Sequence, residues 1–445
     1  MTDNPNVFLL TIDALRADHL GYHGYERDTS PFLDSLADRA ACFSTAISAS
    51  SHTREAVPAL LTGRYPDVFA SRGYRCATET VADRLRAAGY ATAGFHSNPY
   101  VSRAYGFDSG FDTFDDDLRL GQNRIVALMQ RALDKFLLNK GEYHARAKTI
   151  NERSLDWIDS VDNGPVFLWN HYMDPHGPYN PPDGYSYADN EISNSQAHDL
   201  YQTVINRPGE VTEEERQLLL DCYDGEIRYL DEQLRKFFDE LEERELLRDS
   251  LVIITADHGE AFGEHGFFTH PRQLHEHLIH VPLLISSPVR EKMSDQDGPV
   301  SSLDLVPSIL DSADLASTGL PGKSLLRSSD RSESSEENIV FASATGEDEH
   351  EGIRRFAARG PDVKVQVERD IESGDILHET AYEMDRYSSG RNPQDPTEIG
   401  AGGVAEKLRE FSESRLRSEN RESTEDVARA NSDEIDERLE ALGYK

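Results

Sequence analysis

Residues 251–285 read LVIITADHGEAFGEHGFFTHPRQLHEHLIHVPLLI. Leu251 to Thr255 is an apolar, β-branched run bounded by polar sequence, the pattern of a strand buried on both faces of a parallel sheet. VPLLI at 281–285 reads as a second such parallel strand. Between them stand Asp257, His258, Glu260, Glu264, His265, His270, His275, His277 and His280, so six of the chain's 16 histidines fall in this one segment. Open α/β sheets bind ligands beyond the carboxyl ends of their strands, which is where Asp257 and His258 fall. A carboxylate beside an imidazole suits a hard-to-borderline divalent cation.

Working outward, NVFLLTI at 6–12 is another near-continuous apolar strand and ends at Asp13; the loop after it carries Arg16, Asp18 and His19. PVFLWNH at 165–171 is a third, and delivers His171, Asp174 and His176. Three strand ends carrying metal- or acid-capable side chains are hard to explain as solvated loops. Residues 50–54 present Ser50, Ser51, His52, Thr53 and Arg54 ahead of the apolar helical run AVPALL, which Gly63 closes. Hydroxyls there are either ordinary helix caps or groups acidified by a divalent cation, in a place where the helix dipole favours a bound anion. Pro58 favours a first-turn position, which would start the regular helix near 58 and leave Thr53 in the preceding turn.

Helical spacing also predicts helices over 31–41, 81–89, 123–160, 301–315 and, as one or two surface helices, 211–249. ATAGF at 91–95 reads as a short strand leading to His96, Ser97 and Asn98. The expected organisation is an α/β core over 1–325, a polar linker at 326–338, a small antiparallel-sheet subdomain at 339–387 and a charged, partly helical tail at 388–445, least ordered toward its end. DVKVQVERD at 362–370 carries the alternation of the small sheet, and DEIDERLEALGYK at 433–445 is amphipathic.

At 445 residues the chain can bury one large core with an appendage. Its net charge is −36 and its pI about 4.7, with Arg far outnumbering Lys. That balance argues against nucleic acid and anionic membranes as partners, and suits a protein that stays soluble in high salt, a halophile's composition. Cys42, Cys76 and Cys222 form no even framework and no CxxC, which fits a reducing cytoplasm. The N-terminal apolar run is too short for a signal peptide, and no segment has the ~20 apolar residues of a membrane span. A cytoplasmic enzyme is therefore expected; oligomeric state is not readable.

IDALRADHLGYHGY, LTGRYP, GFDSGFDTF, HYMDPHGPY, ITADHGEAFGEHG, HVPLLI, SLDLVPSILD and ALGY, in this order and spacing, resemble the sulfatase family of the alkaline phosphatase superfamily over nearly the whole chain. The resemblance implies a doubly wound, mixed but mostly parallel sheet flanked by helices, a divalent cation, and hydrolysis of sulfate esters through a covalent intermediate. Counting back from Thr62 of LTG, it puts the family's nucleophile position at Thr53. The family has Cys or Ser there in a C/S-x-P-S-R pattern that is converted to formylglycine. Here the run is Thr53, Arg54, Glu55, Ala56, Val57, so formylglycine is not expected. Thr at this place resembles the superfamily's phosphodiesterases and phosphoglycerol transferases, which leaves phosphate esters as the alternative substrate and an inactive binding protein as a third reading.

By the same carry-over, Asp13, Thr53, Asp257 and His258 match the metal shell, for Mg²⁺, Mn²⁺ or Ca²⁺ with Zn²⁺ behind them. The second Asp of the family's N-terminal pair is Ala14, and two family lysines are missing, one near His96 to Asn98 and one where His270 stands. Arg54 and His270 are then expected to hold the ester's oxygens. His176 is expected to protonate the departing oxygen, because imidazole titrates near neutral pH. His171, Asp174 and His265 are weaker candidates for supporting roles. The implied substrate is a small or glycan sulfate ester.

Overall fold

In the computed structural model the residues described are 4–70, 72–118, 144–162, 164–189, 192–287, 298–326, 338–346, 350–384 and 399–422. The core elements in chain order are β1 (Asn6–Ile12), α1 (Pro31–Ala37), β2 (Ala41–Cys42), α2 (Thr53–Thr62), α3 (Val81–Ala87), β3 (Ala91–Phe95) and β4 (Thr113–Asp115). They continue with α4 (Ala147–Ser160), β5 (Val166–Tyr172), α5 (Asn194–Asn206), α6 (Glu213–Glu243), β6 (Ser250–Ala256), β7 (Leu283–Ser286) and α7 (Leu305–Ser312). The C-terminal part contributes β8 (Val340–Thr345), β9 (Ile353–Arg359), β10 (Val363–Asp370), β11 (Ile376–Glu383) and α8 (Gly402–Glu422).

The central sheet has seven strands in the order β2-β7-β6-β1-β5-β3-β4. β6, β1, β5, β3 and β4 are mutually parallel. β1 lies between β6 and β5, and Val7, Phe8, Leu9, Leu10 and Ile12 are wholly buried, which is why its sequence is apolar without alternation. Ile12 pairs in register with Ala256 on one side and Tyr172 on the other. The residues that follow, Asp13, Asp257 and Met173, therefore leave the sheet at one level of one edge.

β7 departs from expectation, for VPLLI forms an antiparallel neighbour of β6. Parallel return requires a crossover connection, and between β6 and β7 the only helical turns are four and three residues long, Glu276–Ile279 and Glu264–Gly266. α2 is also longer than expected. It begins at Thr53 with His52 as its N-cap, and Pro58 lies inside it. The His52 side chain accepts the Arg54 N–H at 3.2 Å and so does the capping that the preceding serines do not. Gly63, at φ 66°, supplies the left-handed C-cap.

α6 is a single helix of 31 residues opened by a Thr212–Glu215 capping box, and much of it is buried, including Tyr223, Asp224, Leu230, Leu234 and Phe237. Of the helix expected over 123–160, α4 is seen, while 119–143 lie outside the described residues, as do 327–337 of the linker and 433–445 of the tail. The small antiparallel sheet expected here is formed by four strands, β8 to β11. α8 covers one face of it through Ala405, Leu408 and Leu416. The other side meets the core, where Ala342, Ala344 and Ala357 pack with Ile47, Leu274 and Ile279, and Ser343 N–H donates to the Ala49 carbonyl at 2.9 Å. No helix of the described residues is long and apolar enough to cross a membrane.

In the segment between β6 and β7, His265 and His275 stack with centroids 4.0 Å apart, and each lies 5.7 Å from His277. Burial, then His265 and Lys364, push His275 down to about 2; burial, then Arg16, push His277 down to about 3. Both are neutral in the fold, whereas the unfolded chain protonates them below about 6.5. Their depressed values mean that the unfolded state binds more protons, so stability is fully present above about 6.5 and falls as pH drops toward 3, by up to about 1.4 kcal/mol per group per pH unit. The urea midpoint should hold above about pH 6.5 and fall steadily from there to about pH 5, less steeply in His275→Gln. An equal slope in that variant would place the acid sensitivity elsewhere.

Candidate active site

Asp13 extends β1 and its N–H donates to the Tyr172 carbonyl at 2.9 Å; Asp257 extends β6 and donates to the Ile12 carbonyl at 3.2 Å. The strands thus fix both backbones before any side chain is considered. One ligand atom each from Asp13, Asp257 and His258 lies within 4.8 Å of the others, and all three residues are fully buried. The Thr53 hydroxyl, on the first residue of α2, is 3.0 Å from His258 Nε2. His258 Nε2 is also 3.5 Å from Asp13 Oδ1 and 3.6 Å from Asp257 Oδ2. Asp13 and Thr53 thus meet Asp257 and His258, more than 200 residues further along the chain, at one point.

The donor set fits a divalent cation. Asp13 Oδ1 and Asp257 Oδ2 are buried without a hydrogen-bond partner among the described residues. Their other oxygens are engaged: Asp257 Oδ1 accepts the N–H groups of Ala14 and His258 at 3.3 and 2.8 Å, and Asp13 Oδ2 accepts from Asn98 Nδ2 at 2.7 Å and from His171 Nε2 at 3.3 Å. His258 Nδ1 lies 2.8 Å from the Gly259 carbonyl, so it carries the ring proton and turns the Nε2 lone pair toward the carboxylates. Two bare carboxylate oxygens, a lone pair and a hydroxyl are an arrangement that buried protein avoids unless positive charge sits among them.

The titration behaviour agrees. Burial and the charge of Asp13 push Asp257 up. Burial alone would lower His258, but Asp257 and Asp13 outweigh it and hold it above its ordinary value. Asp13 goes the other way: burial opposes its charge, yet His176, His171 and His258 hold it well below the usual carboxylate range.

Around this point stand further imidazoles. The His270 ring lies 4.7 Å from that of His258 and 4.9 Å from that of His176, and its Nδ1 is 3.1 Å from Glu260 Oε1. Tyr179 donates to the other Glu260 oxygen at 2.7 Å. His176 Nδ1 contacts the Gly177 carbonyl at 2.7 Å, and burial shifts the ring below its ordinary value, only partly opposed by Asp13. It is thus less readily protonated than a free imidazole. Arg54 lies between two aromatic faces, its guanidinium 4.3 Å from the Tyr74 ring and 4.7 Å from the Tyr100 ring.

Of the weaker candidates, His171 touches Asp13, Asp174 is engaged by Arg146 at 2.9 Å and the Ala147 N–H at 2.8 Å, and His265 sits in the histidine stack. Asn98, Glu260, His52 and Arg272 were given no role by sequence. Asn98 follows β3 at the same sheet edge, a placement that could have marked it. Gly259 is required by close approach, since a Cβ there would lie 2.0 Å from the His277 carbonyl oxygen.

Glu55, on the first turn of α2, is wholly buried and ties the site to the C-terminal sheet. It accepts from Ser50 Oγ at 2.7 Å, from Arg272 Nη1 at 3.0 Å and from the Thr345 hydroxyl. Glu55→Leu would take the carboxylate from a buried guanidinium, at a cost of about 3–5 kcal/mol. Chemical denaturation checks this; a loss under about 1 kcal/mol would mean that Tyr74 and Thr345 suffice for Arg272.

The sulfatase family profile matches residues 5–315. The chain belongs to the sulfatase family. The arylsulfatase of Clostridium perfringens is 25% identical over 364 residues, covering 70% of this chain and 75% of that one. The choline-sulfatase of Rhizobium meliloti is 25% identical over 355 residues, covering 71% and 69%. Among solved structures, the phosphonate monoester hydrolase of Agrobacterium radiobacter superposes with a TM-score of 0.70 at 18% identity, over 93% of this chain and 95% of that one. BT4656, solved with its substrate D-glucosamine-2-N,6-O-disulfate, superposes with a TM-score of 0.68 at 16% identity, over 95% and 100%. The protein is thus a sulfatase-family hydrolase with an alkaline phosphatase-like fold, and this fold also serves phosphonate monoester hydrolases.

Proposed function

We propose that this sulfatase-family chain hydrolyses sulfate monoesters, of small molecules or glycans, at the point where Asp13, Asp257, His258 and Thr53 meet, with Thr53 as an unmodified nucleophile. The observation that carries the reading is the Thr53 hydroxyl, 3.0 Å from His258 Nε2 and beside two bare carboxylate oxygens. Asp13, Asp257, His258 and Thr53 would hold a Ca²⁺, Mg²⁺ or Mn²⁺ ion, which supplies positive charge that acidifies a hydroxyl and offsets charge on ester oxygens.

The chain's own groups account for the remaining steps. Thr53 Oγ1 forms a bond to sulfur and gives its proton to solvent as the sulfur–oxygen bond to the alcohol breaks. Arg54 and His270 hold the non-reacting sulfate oxygens, and the α2 N-terminus favours the anion. His176, which burial shifts below its ordinary value, takes up a proton from solvent when the anionic ester beside it raises its proton affinity, and gives that proton to the departing oxygen. Water then attacks the threonyl sulfate at sulfur and regenerates the hydroxyl.

Phosphate or phosphonate esters are the second reading, favoured by Thr53 itself, since a plain hydroxyl suits phosphoryl transfer and does not need the aldehyde hydrate. Assaying aryl sulfate, aryl phosphate and aryl phosphonate with each cation decides between them: sulfate turnover highest supports the proposal, and phosphonate turnover without sulfate turnover replaces it. The same assay in rising salt tests the halophilic setting that the acidic composition suggests. Activity lost rather than kept in molar salt would remove it.

A further inference from the structure

Alternation along adjacent strands puts Thr11 and Asp13 on one face of β1, with Trp169 and His171 on the same face of β5, because Thr11 pairs with His171 and Leu9 with Trp169. Trp169 Nε1–H donates to Thr11 Oγ1 at 2.9 Å. Thr11 Oγ1 lies 2.9 Å from His171 Nδ1 and 3.3 Å from the Asn170 carbonyl. Trp169 already fills one lone pair of that oxygen, and the hydroxyl's single proton takes the shorter path to Nδ1. His171 then carries its proton on Nε2 and donates it to Asp13 Oδ2 at 3.3 Å. Thr11, Trp169, His171 and Asp13 are all essentially without solvent contact.

The chain of bonds has one direction, from indole to carboxylate. Together with Asn98 it saturates Asp13 Oδ2 and leaves Oδ1 bare toward His258. Of these residues only Asp13 belongs to the group that meets at the reacting centre. An apolar β-strand core has no packing need for a hydroxyl at Thr11, and Val would fill the same volume.

We propose that Trp169, Thr11 and His171 are positioning residues: a buried relay that fixes the His171 tautomer and through it the Asp13 carboxylate, so that the relay sets cation affinity and the Trp169 indole reports cation binding. This rests on the cation site proposed above. Outer partners of ligating groups commonly change metal affinity by about 10–100-fold when removed. Thr11→Val keeps the shape, removes the hydroxyl that donates to His171 Nδ1, and frees that ring to adopt the other tautomer, whose Nε2 lone pair would face Asp13 Oδ2.

The test is calorimetric titration of the full chain with Ca²⁺, Mg²⁺ and Mn²⁺ separately. Thr11→Val should weaken the best-binding ion by about tenfold or more, and Thr11→Ser should restore affinity to within a few-fold of the original protein. A purely structural role would lower the melting temperature and leave the dissociation constant unchanged, which would overturn the relay while sparing the site. No binding of any of the three ions to the original protein would overturn the site and the relay together. If Thr11→Val does not fold, emission decides: in a Trp157→Phe background Trp169 is the sole indole. Its spectrum should shift on Ca²⁺ or Mg²⁺ addition with the calorimetric dissociation constant. An emission unmoved by saturating ion overturns the proposal.

Discussion

Asp257→Asn should lower cation-dependent ester hydrolysis by about 10²–10³-fold or more while leaving the folded state intact. The amide oxygen can still accept the Ala14 and His258 N–H bonds that Asp257 Oδ1 accepts now, so backbone geometry at the end of β6 persists.

 What is lost is the negative charge opposite Asp13. In the absence of an ion the substitution relieves repulsion between two buried carboxylates, because burial and Asp13 already push Asp257 up. The variant should therefore melt at or above the temperature of the original protein in chelator. Added Ca²⁺, Mg²⁺ or Mn²⁺ should stabilise only the original protein. Differential scanning calorimetry with and without ion reads both arms. Equal stabilisation of the two proteins by the ion would remove Asp257 from the site.

The same balance explains which parts of this molecule could be read from its sequence. β1, β5 and β6 lie inside the sheet, so their runs are largely apolar, and metal-capable side chains stand at or next to their ends, Asp13, His171 and Asp257. Parallel register then forces those ends to one edge, which made the convergence of Asp13, Asp257 and His258 legible. The direction of β7 was not, because an apolar run looks the same in either direction and only the lack of a crossover helix settles it. Nor was the start of α2. Pro58 suggests a first turn, but the His52 cap three-dimensionally precedes it and the helix carries the proline inside. Asn98 and Arg272 escaped for another reason: each acts through a partner remote in sequence, Asp13 and Glu55 respectively. Polar partners of that kind leave no periodic trace. His176 shows the limit in its electrostatics, since the ordinary value of imidazole suggests easy protonation and burial shifts it down.

Thr53→Ala should have the largest effect on rate, on the order of 10⁴-fold or more in kcat with KM little changed, because it removes the atom that forms the covalent bond. The neighbouring hydroxyls are already committed. Ser50 Oγ donates to Glu55 at 2.7 Å, and Ser51 Oγ donates to the Pro271 carbonyl at 3.3 Å. Ser51→Ala should therefore keep a rate near that of the original protein, and Ser50→Ala should cost stability through Glu55 more than turnover. Thr53→Ser retains the hydroxyl and should retain part of the activity, although loss of the methyl frees the side chain to rotate away from His258. A threonyl sulfate lacks the second hydroxyl through which an aldehyde hydrate expels sulfate, so its breakdown depends on water and should be slower than its formation. Rapid mixing with an aryl sulfate should then show a burst of phenol followed by a slow steady state, and mass spectrometry of the quenched protein should find sulfate on the peptide that contains Thr53. A linear time course with no modified peptide, combined with full activity in Thr53→Ala, would mean that water attacks the ester directly or that another residue is the nucleophile. The 3.0 Å contact between Thr53 and His258 would then be a helix-start hydroxyl resting on the site.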